Sequence, residues 1–156
     1  MEIRVERGDI AQHAASAVVV NLFEGVTQPG GYNRWEVIQH TLHLLHATPP
    51  KLHLRWASLL HDVAKPCTKV ATGEGATFYG HEREGSKMVK QILRRLKYSN
   101  DFIDQVYLLV DKHMFTTQVT DKGLRRLIRK VGLDLVFDLL DLRRLGPNPM
   151  ADQQFV

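Results

Sequence analysis

His61 and Asp62 stand side by side at the end of an apolar run that includes Leu59 and Leu60. A buried imidazole and a buried carboxylate each need a polar partner, and one divalent cation satisfies both, because neutral histidine and ionised aspartate are metal ligands. Such dipeptides are common, and a solvated pair at a helix end is the plainer interpretation. Three further histidines lie on or beside helical patterns and favour a metal site: His40, His81 and His113.

An imidazole-rich site favours iron, manganese, nickel or zinc over magnesium or calcium, so we expect one or two transition-metal ions. Lys65 follows the His-Asp pair and can contact a phosphate oxygen. His113 ends an i, i+3, i+4, i+7 stripe with Val106, Leu109 and Val110, which turns its side chain inward. The alternative for this position is a core histidine whose ring nitrogens are hydrogen-bonded within the protein and bind no metal.

The first predicted helix carries His40. Asn33 and Glu36 have the spacing of a capping box, and the helix should end before the prolines at positions 49 and 50. Because His40, His43 and His46 recur every three residues, one face carries at least two of them. Spacing alone does not choose a ligand among the three.

A second helix, Lys51–Ala64, is predicted to end before Pro66, which places His61 and Asp62 in its last turn. Residues 67–80 contain several glycines and are predicted as a loop. Four more helices follow: one over about Glu82–Leu96 with His81 at its start, and three with predicted caps and ends at Ser99–His113, Thr120–Gly132 and Leu133–Leu145.

The sequence therefore predicts a mainly α protein of about six helices, preceded by a short β-hairpin or extended segment. At 156 residues and 44% hydrophobic residues, the chain can form one domain with its own core. Its one cysteine excludes an internal disulfide framework, and no apolar run has the roughly 20 residues that cross a bilayer. The start of the chain also lacks a signal-peptide pattern, so we expect a cytoplasmic protein without membrane contact.

The charge balance is mildly basic, with a net charge of +4 and a pI near 9.3. This excess favours phosphorylated small molecules, nucleotides or RNA as partners, although surface lysines and arginines are mostly a solvated face. The fifth predicted helix carries a basic side with Arg125, Arg126, Arg129 and Lys130. Oligomeric state is open.

Residues 32–145 resemble the HD domain of the metal-dependent phosphohydrolase superfamily. The run Leu54–Pro66, LRWASLLHDVAKP, and the later Phe78–Glu82, FYGHE, are similar to the HD region of tRNA nucleotidyltransferases and bacterial poly(A) polymerases. In that superfamily the first histidine, the His-Asp pair and a later aspartate bind a divalent metal, and extra histidines form a second site in some branches. The resemblance implies five ligands here: His40, His61, Asp62, His81 and His113.

The later aspartate departs from the family pattern. Related enzymes carry it in a Leu-Arg-Arg-Ala-Asp stretch of the final helix, whereas Leu142–Gly146 is LRRLG in this chain. Glycine stands at the expected position, and Asp141 is the candidate substitute. We therefore expect a weaker or histidine-rich metal site.

A second resemblance is confined to the N-terminus, where Gly8–Gly25 is similar to the opening of the macro-like domain of leucyl aminopeptidases. This fragment is too short for that domain's sheet, and no activity is implied. The expected organisation is an extension over 1–31, an HD domain over 32–146 and a tail over 147–156. Because 31 residues are too few for a nucleotidyltransferase catalytic domain, we expect that this chain does not add nucleotides.

The leading functional hypothesis is a metal-dependent hydrolase of phosphate esters, acting on nucleotides or nucleic-acid ends. Asp62, Lys65 and His81 are the candidate catalytic residues, and Lys65, Arg126 and Arg129 are the candidate substrate contacts. His81 or His113 would act as a second-metal ligand or as a proton donor. The alternative is a non-catalytic RNA-binding or regulatory HD module.

Overall fold

The computed structural model describes residues 34–72, 75–116 and 120–146. Within these ranges the chain is mainly helical, with six helices of nine residues or more, as predicted. The predicted N-terminal hairpin and C-terminal tail lie outside the described residues. The elements are α1 (Arg34–Ala47), α2 (Leu52–Leu60), α3 (Lys65–Thr68), β1 (Val70–Thr72), β2 (Gly75–Thr77), α4 (His81–Arg95), α5 (Asn100–Lys112), α6 (Asp121–Val131) and α7 (Leu133–Leu145).

Helices α5 and α6 begin at the predicted capping residues. The Ser99 hydroxyl accepts a hydrogen bond from the Phe102 N–H at the start of α5, and Thr120 does the same for Gly123 at the start of α6. Gly132 separates α6 from α7 with φ at 87°, a backbone conformation that a residue with a Cβ rarely adopts. Local sequence chemistry thus determines the ends of these elements.

The core lies where α2, α4, α5 and α7 pack together. Helix α5 is central, since it contacts α4 along its length and also packs against α2 and α7. Leu60, Leu93, Leu109 and Leu139, one from each of these helices, are at most 1% exposed. No helix in residues 34–72, 75–116 and 120–146 has the length and apolar character needed to cross a bilayer.

The segment around Pro66 differs from its prediction. Helix α2 ends at Leu60 rather than Ala64, and residues 61–64 form a turn before α3 begins at Lys65. Proline lacks a backbone N–H, and the first turn of a helix does not use that donor, so Pro66 fits at the beginning of α3. His61 and Asp62 consequently lie beyond the end of α2, in the turn.

The predicted loop over residues 67–80 also contains regular structure. Strands β1 and β2 pair antiparallel, with Val70 opposite Thr77 and Thr72 opposite Gly75. Three of these four residues are β-branched, which suits a strand. Gly80 then adopts φ of 78° as the N-cap of α4, and this turn makes His81 the first helical residue.

Candidate metal centre

Asp62 lies at the centre of a buried polar cluster between three helix ends. The turn after α2 supplies His61 and Asp62, the start of α4 supplies His81, and the end of α5 supplies His113. All four side chains are nearly inaccessible, with relative exposures of 3% for Asp62, 5% for His61 and 6% for the other two. The sequence predicted these residues as ligands, and the structure brings them together.

The same kind of hydrogen bond orients three imidazole rings. The Nδ1 atoms of His61, His81 and His113 lie 2.8, 2.8 and 2.7 Å from the backbone carbonyls of the residues three positions earlier in the chain. Because a carbonyl oxygen only accepts, each Nδ1–H must donate. Each ring therefore turns its Nε2 atom toward the interior of the cluster, which is the arrangement typical of metal-binding histidines.

The Nε2 atoms converge on the Asp62 carboxylate. His61 Nε2 is 3.1 Å from Oδ2, His81 Nε2 is 3.4 Å from Oδ1, and His113 Nε2 is 4.0 Å from Oδ1. The Nε2 atoms of His81 and His113 are only 3.2 Å apart. These distances leave the potential ligand atoms near enough to share one or two small ions.

His40 adds a second group of donors on the α1 side. Its ring centroid is 5.4 Å from that of His61, and the ligand atoms of His40, His61 and Asp62 all lie within 4.8 Å of one another. The ligand atoms of Asp62, His81 and His113 meet the same condition. Each group could hold a metal ion, and Asp62 belongs to both.

Burial and charge shift the protonation of this cluster. Burial alone would raise the pKa of Asp62, but interactions with His61, His81 and Lys65 outweigh it and hold that pKa well below its usual range. Burial and the neighbouring His61 lower the pKa of His113 to about 3. Burial also lowers the pKa of His40. Asp62 is consequently a carboxylate at neutral pH, and His113 is a neutral imidazole.

The donor set fits a divalent transition metal. With its Nδ1–H donated to Val110, the neutral His113 ring presents an Nε2 lone pair to His81 and Asp62. A cation held between them would satisfy the His113 lone pair and the Asp62 charge together. Imidazole nitrogens with one carboxylate are the ligand types that iron, manganese, nickel and zinc accept.

Lys65 lies against the same carboxylate. Its Nζ is 2.8 Å from Asp62 Oδ2 and 5.8 Å from the centre of the Phe78 ring, and the residue is 6% exposed. Its position at the start of α3, three residues after Asp62, brings the amine to the edge of the cluster. The predicted catalytic lysine is therefore beside the candidate ligands.

Three other predicted site residues lie outside the cluster. Asp141 forms an exposed ion pair with Arg144, at 3.4 Å, and belongs to neither group of ligands. Arg126 and Arg129 are exposed on α6 and also lie outside both groups. The structure thus gives no support for Asp141 as a substitute for the missing family aspartate, because its carboxylate contacts Arg144 instead.

Sequence reasoning missed the one aspartate that α7 does bury. Asp138 is 2% exposed, and its two oxygens lie 2.5 Å from Lys51 Nζ and 2.6 Å from His53 Nε2. A signal was present, since Asp138 falls on the same helical stripe as Leu135 and Leu142, where a charged residue requires a partner. This contact joins α7 to the beginning of α2 and is separate from the metal cluster.

Comparisons with known proteins agree with this architecture. The chain is 36% identical over 126 residues to an A-adding tRNA nucleotidyltransferase of Deinococcus radiodurans, covering 76% of this chain and 29% of that protein. It is 33% identical over 120 residues to a CC-adding tRNA nucleotidyltransferase of Thermus thermophilus, covering 72% and 27%. The chain thus spans less than a third of the length of these relatives.

No solved structure matches the chain. The family model described as HD domain matches residues 33–144, which include every residue of the buried cluster. This chain belongs to the HD domain family.

Proposed function

We propose that this protein is a metal-dependent phosphohydrolase that acts on phosphate esters of nucleotides or nucleic-acid ends. The observation that carries the proposal is the Asp62 carboxylate, which is shared by two groups of inward-facing histidines. His40, His61, Asp62, His81 and His113 would hold one or two ions of iron, manganese, nickel or zinc. A bound ion would lower the pKa of a water molecule and polarise the phosphoryl group.

The charge of the cluster favours an anionic substrate. Asp62 is the one carboxylate in the two groups of candidate ligands, and Lys65 contacts it directly. With a divalent ion bound, the positive charges of the ion and of Lys65 would exceed the single negative charge of Asp62. A phosphate ester can neutralise this buried positive excess. The missing family aspartate would therefore increase the attraction for phosphate while weakening the hold on metal.

Two residues have proposed roles in the reaction itself. Lys65 would bind a phosphate oxygen, because its amine is held at the edge of the cluster by Asp62. His81 would act either as a ligand or as the donor of a proton to the leaving oxygen. In both roles the Phe78 carbonyl fixes the ring, so Nε2 is the atom that acts.

The similar proteins support the proposed class of substrate, which is RNA or nucleotides. Their names describe enzymes that act on tRNA, and we propose that this chain likewise acts on or binds RNA or nucleotides. Arg126 and Arg129 are exposed on α6 and are the proposed contacts to a nucleic-acid backbone. The proposed location is the cytoplasm, where the exposed free thiol of Cys67 would remain reduced.

A non-catalytic RNA-binding or regulatory module is the second candidate, and α6 is the observation that favours it. Lys122, Arg125, Arg126, Arg129 and Lys130 are all exposed on this 11-residue helix. No carboxylate among the described residues forms an ion pair with Arg126 or Arg129. Uncompensated cations at helical spacing suit a phosphate backbone.

Two sets of variants distinguish an enzyme from a binding module. If the protein is a hydrolase, Asp62→Ala should abolish turnover of a generic phosphodiester and of a nucleotide panel, because two groups of ligands lose their shared carboxylate. Arg126→Ala and Arg129→Ala should then change turnover modestly. Asp134→Ala, at an exposed position on α7, is the control for Asp62→Ala, with circular dichroism as the check on folding.

The binding module makes the opposite prediction. Arg126→Ala and Arg129→Ala should then weaken RNA binding and reduce its salt slope by about one unit per lost phosphate contact. The Arg94→Ala and Arg95→Ala changes on α4 remove equal charge from another exposed surface and serve as the control. Metal-loaded protein without turnover, together with RNA binding that depends on the α6 arginines, would reverse the ranking.

A further inference from the structure

We infer that His43 and His46 on α1 form an outer binding site for a divalent transition metal, which passes through His40 to the buried centre. This inference rests on the proposed metal centre. It assigns a role to two histidines that belong to neither group of candidate ligands.

The burial pattern identifies the side from which the centre is reached. Among the candidate ligands, Asp62, His61, His81 and His113 are each at most 6% exposed. His40 is the exception, since it is only partly buried. A metal ion that approaches from solvent therefore meets His40 before it meets the other ligands.

The surface in front of His40 is an open cavity of about 580 Å³, lined by Gln39, His40, Leu42, His43 and His46. His43 and His46 are exposed on this surface. The three histidines are successive i, i+3 neighbours, so each step advances about 4.5 Å along the helix with a rotation about 60° short of a full turn. The three histidines thus form an oblique row on α1 that ends at His40, whose ring centroid is 5.4 Å from that of His61.

The chemistry of His43 and His46 suits transient capture of a metal ion rather than its permanent retention. A pair of exposed imidazoles offers two neutral nitrogen donors, which bind transition metals but leave most of the ion's coordination to water. The inner group of His40, His61 and Asp62 adds a carboxylate and a dry environment, so it binds more strongly. Because His40 is both a lining residue of the cavity and a member of the inner group, an ion can exchange ligands one at a time.

Uptake of Co²⁺ by chelator-stripped protein tests this route, since its visible absorption reports arrival at the buried nitrogen ligands. In the parent, the loading rate should saturate with Co²⁺ concentration, because the outer site fills. In a His43→Gln and His46→Gln double variant, loading should be slower by at least about fivefold at micromolar Co²⁺ and should rise linearly with concentration, since capture no longer raises the local concentration of metal. The final absorption should be unchanged.

Leu42→Gln is the matched control, because Leu42 is 56% exposed on the same helix and lines the same cavity without offering a metal donor. It should load like the parent. Equal loading rates in the parent and the double variant would overturn the route, as would a lower final absorption, which would make His43 or His46 permanent ligands. A parent protein that gains no Co²⁺ absorption would instead overturn the metal centre itself.

Discussion

The geometry of two of the buried imidazoles, His61 and His113, follows from their place at the end of a helix. The last four carbonyls of a helix have no intrahelical partner. Ser58 and Val110 are among the last four residues of α2 and α5, and their carbonyls accept the Nδ1–H bonds of His61 and His113. Unused backbone acceptors thus fix the rings and direct both Nε2 atoms at Asp62.

The buried state of His113 predicts how the stability of the metal-free protein depends on pH. Its pKa of about 3 in the folded state lies below the unfolded value of about 6.5, so the unfolded chain binds more protons between these values. Stability should therefore be complete above pH 6.5 and should fall as pH decreases toward 3. Urea unfolding midpoints of chelator-treated protein between pH 4 and 7 measure this slope.

His113→Gln should reduce that slope. It should not remove it entirely, because the lowered pKa of His40 acts in the same direction. Asp62, whose pKa is also lowered, adds to the slope mainly below about pH 5 and does so in both proteins. Parallel profiles for the parent and the variant between pH 4 and 6.5 would show that His113 is not held neutral.

At the level of elements, the approach of α4 to the turn that carries Asp62 requires a small residue at position 85, where this chain has Gly85. This buried glycine lies one helical turn after His81, and a Cβ at its position would meet Val110 Cγ1 at 3.5 Å, Val63 Cγ1 at 3.6 Å and Ala64 Cβ at 3.7 Å. A methyl group fits in ordinary contact, whereas a branched side chain does not. A side chain larger than methyl at this position would therefore push His81 away from Asp62, whereas alanine would not.

Gly85→Ala and Gly85→Leu should separate the effect of helix propensity from the effect of displacing α4. The alanine variant should keep its metal content and gain up to about 1 kcal/mol of stability, because glycine is unfavourable within a helix. The leucine variant should displace α4, lose about 1 to 3 kcal/mol through overpacking, and bind less metal. Elemental analysis and urea unfolding give both quantities. Full metal content in the leucine variant would contradict the role assigned to Gly85.

Local sequence signals predicted the elements where capping residues and apolar stripes agree, as at Ser99 and Thr120. They failed at Pro66, because a proline is compatible both with the end of one helix and with the first turn of the next. They also failed at Asp138, whose partners Lys51 and His53 are distant in sequence. Contacts across the chain, rather than local propensity, determine such positions.

The convergence of the candidate ligands was predictable because each histidine falls on or beside an apolar helical face, and one buried centre can satisfy them all. The position of Asp141 could not be predicted in this way. Its assignment came from the family pattern alone, and only the packing of α7 shows that its carboxylate contacts Arg144. Family resemblance therefore served better for the histidines than for the residue at which this chain departs from the family.

At the scale of the whole molecule, the candidate ligands join four separate segments: α1, the turn after α2, the start of α4 and the end of α5. Since the unfolded chain does not bring these segments together, a bound metal ion stabilises the folded state. The gain is about 2.7 kcal/mol when free metal is one hundred times Kd.

Removing the metal should consequently lower the melting temperature by roughly 5 to 11 °C for a chain of this size. Differential scanning calorimetry with and without a chelator measures the shift, and readdition of the metal should reverse it. In Asp62→Ala the shift should be largely absent, because both groups of candidate ligands would lose their shared carboxylate, while Asp134→Ala should retain it as a surface control. If chelation leaves the parent's melting temperature unchanged, although metal is removed, the cluster does not couple metal binding to folding.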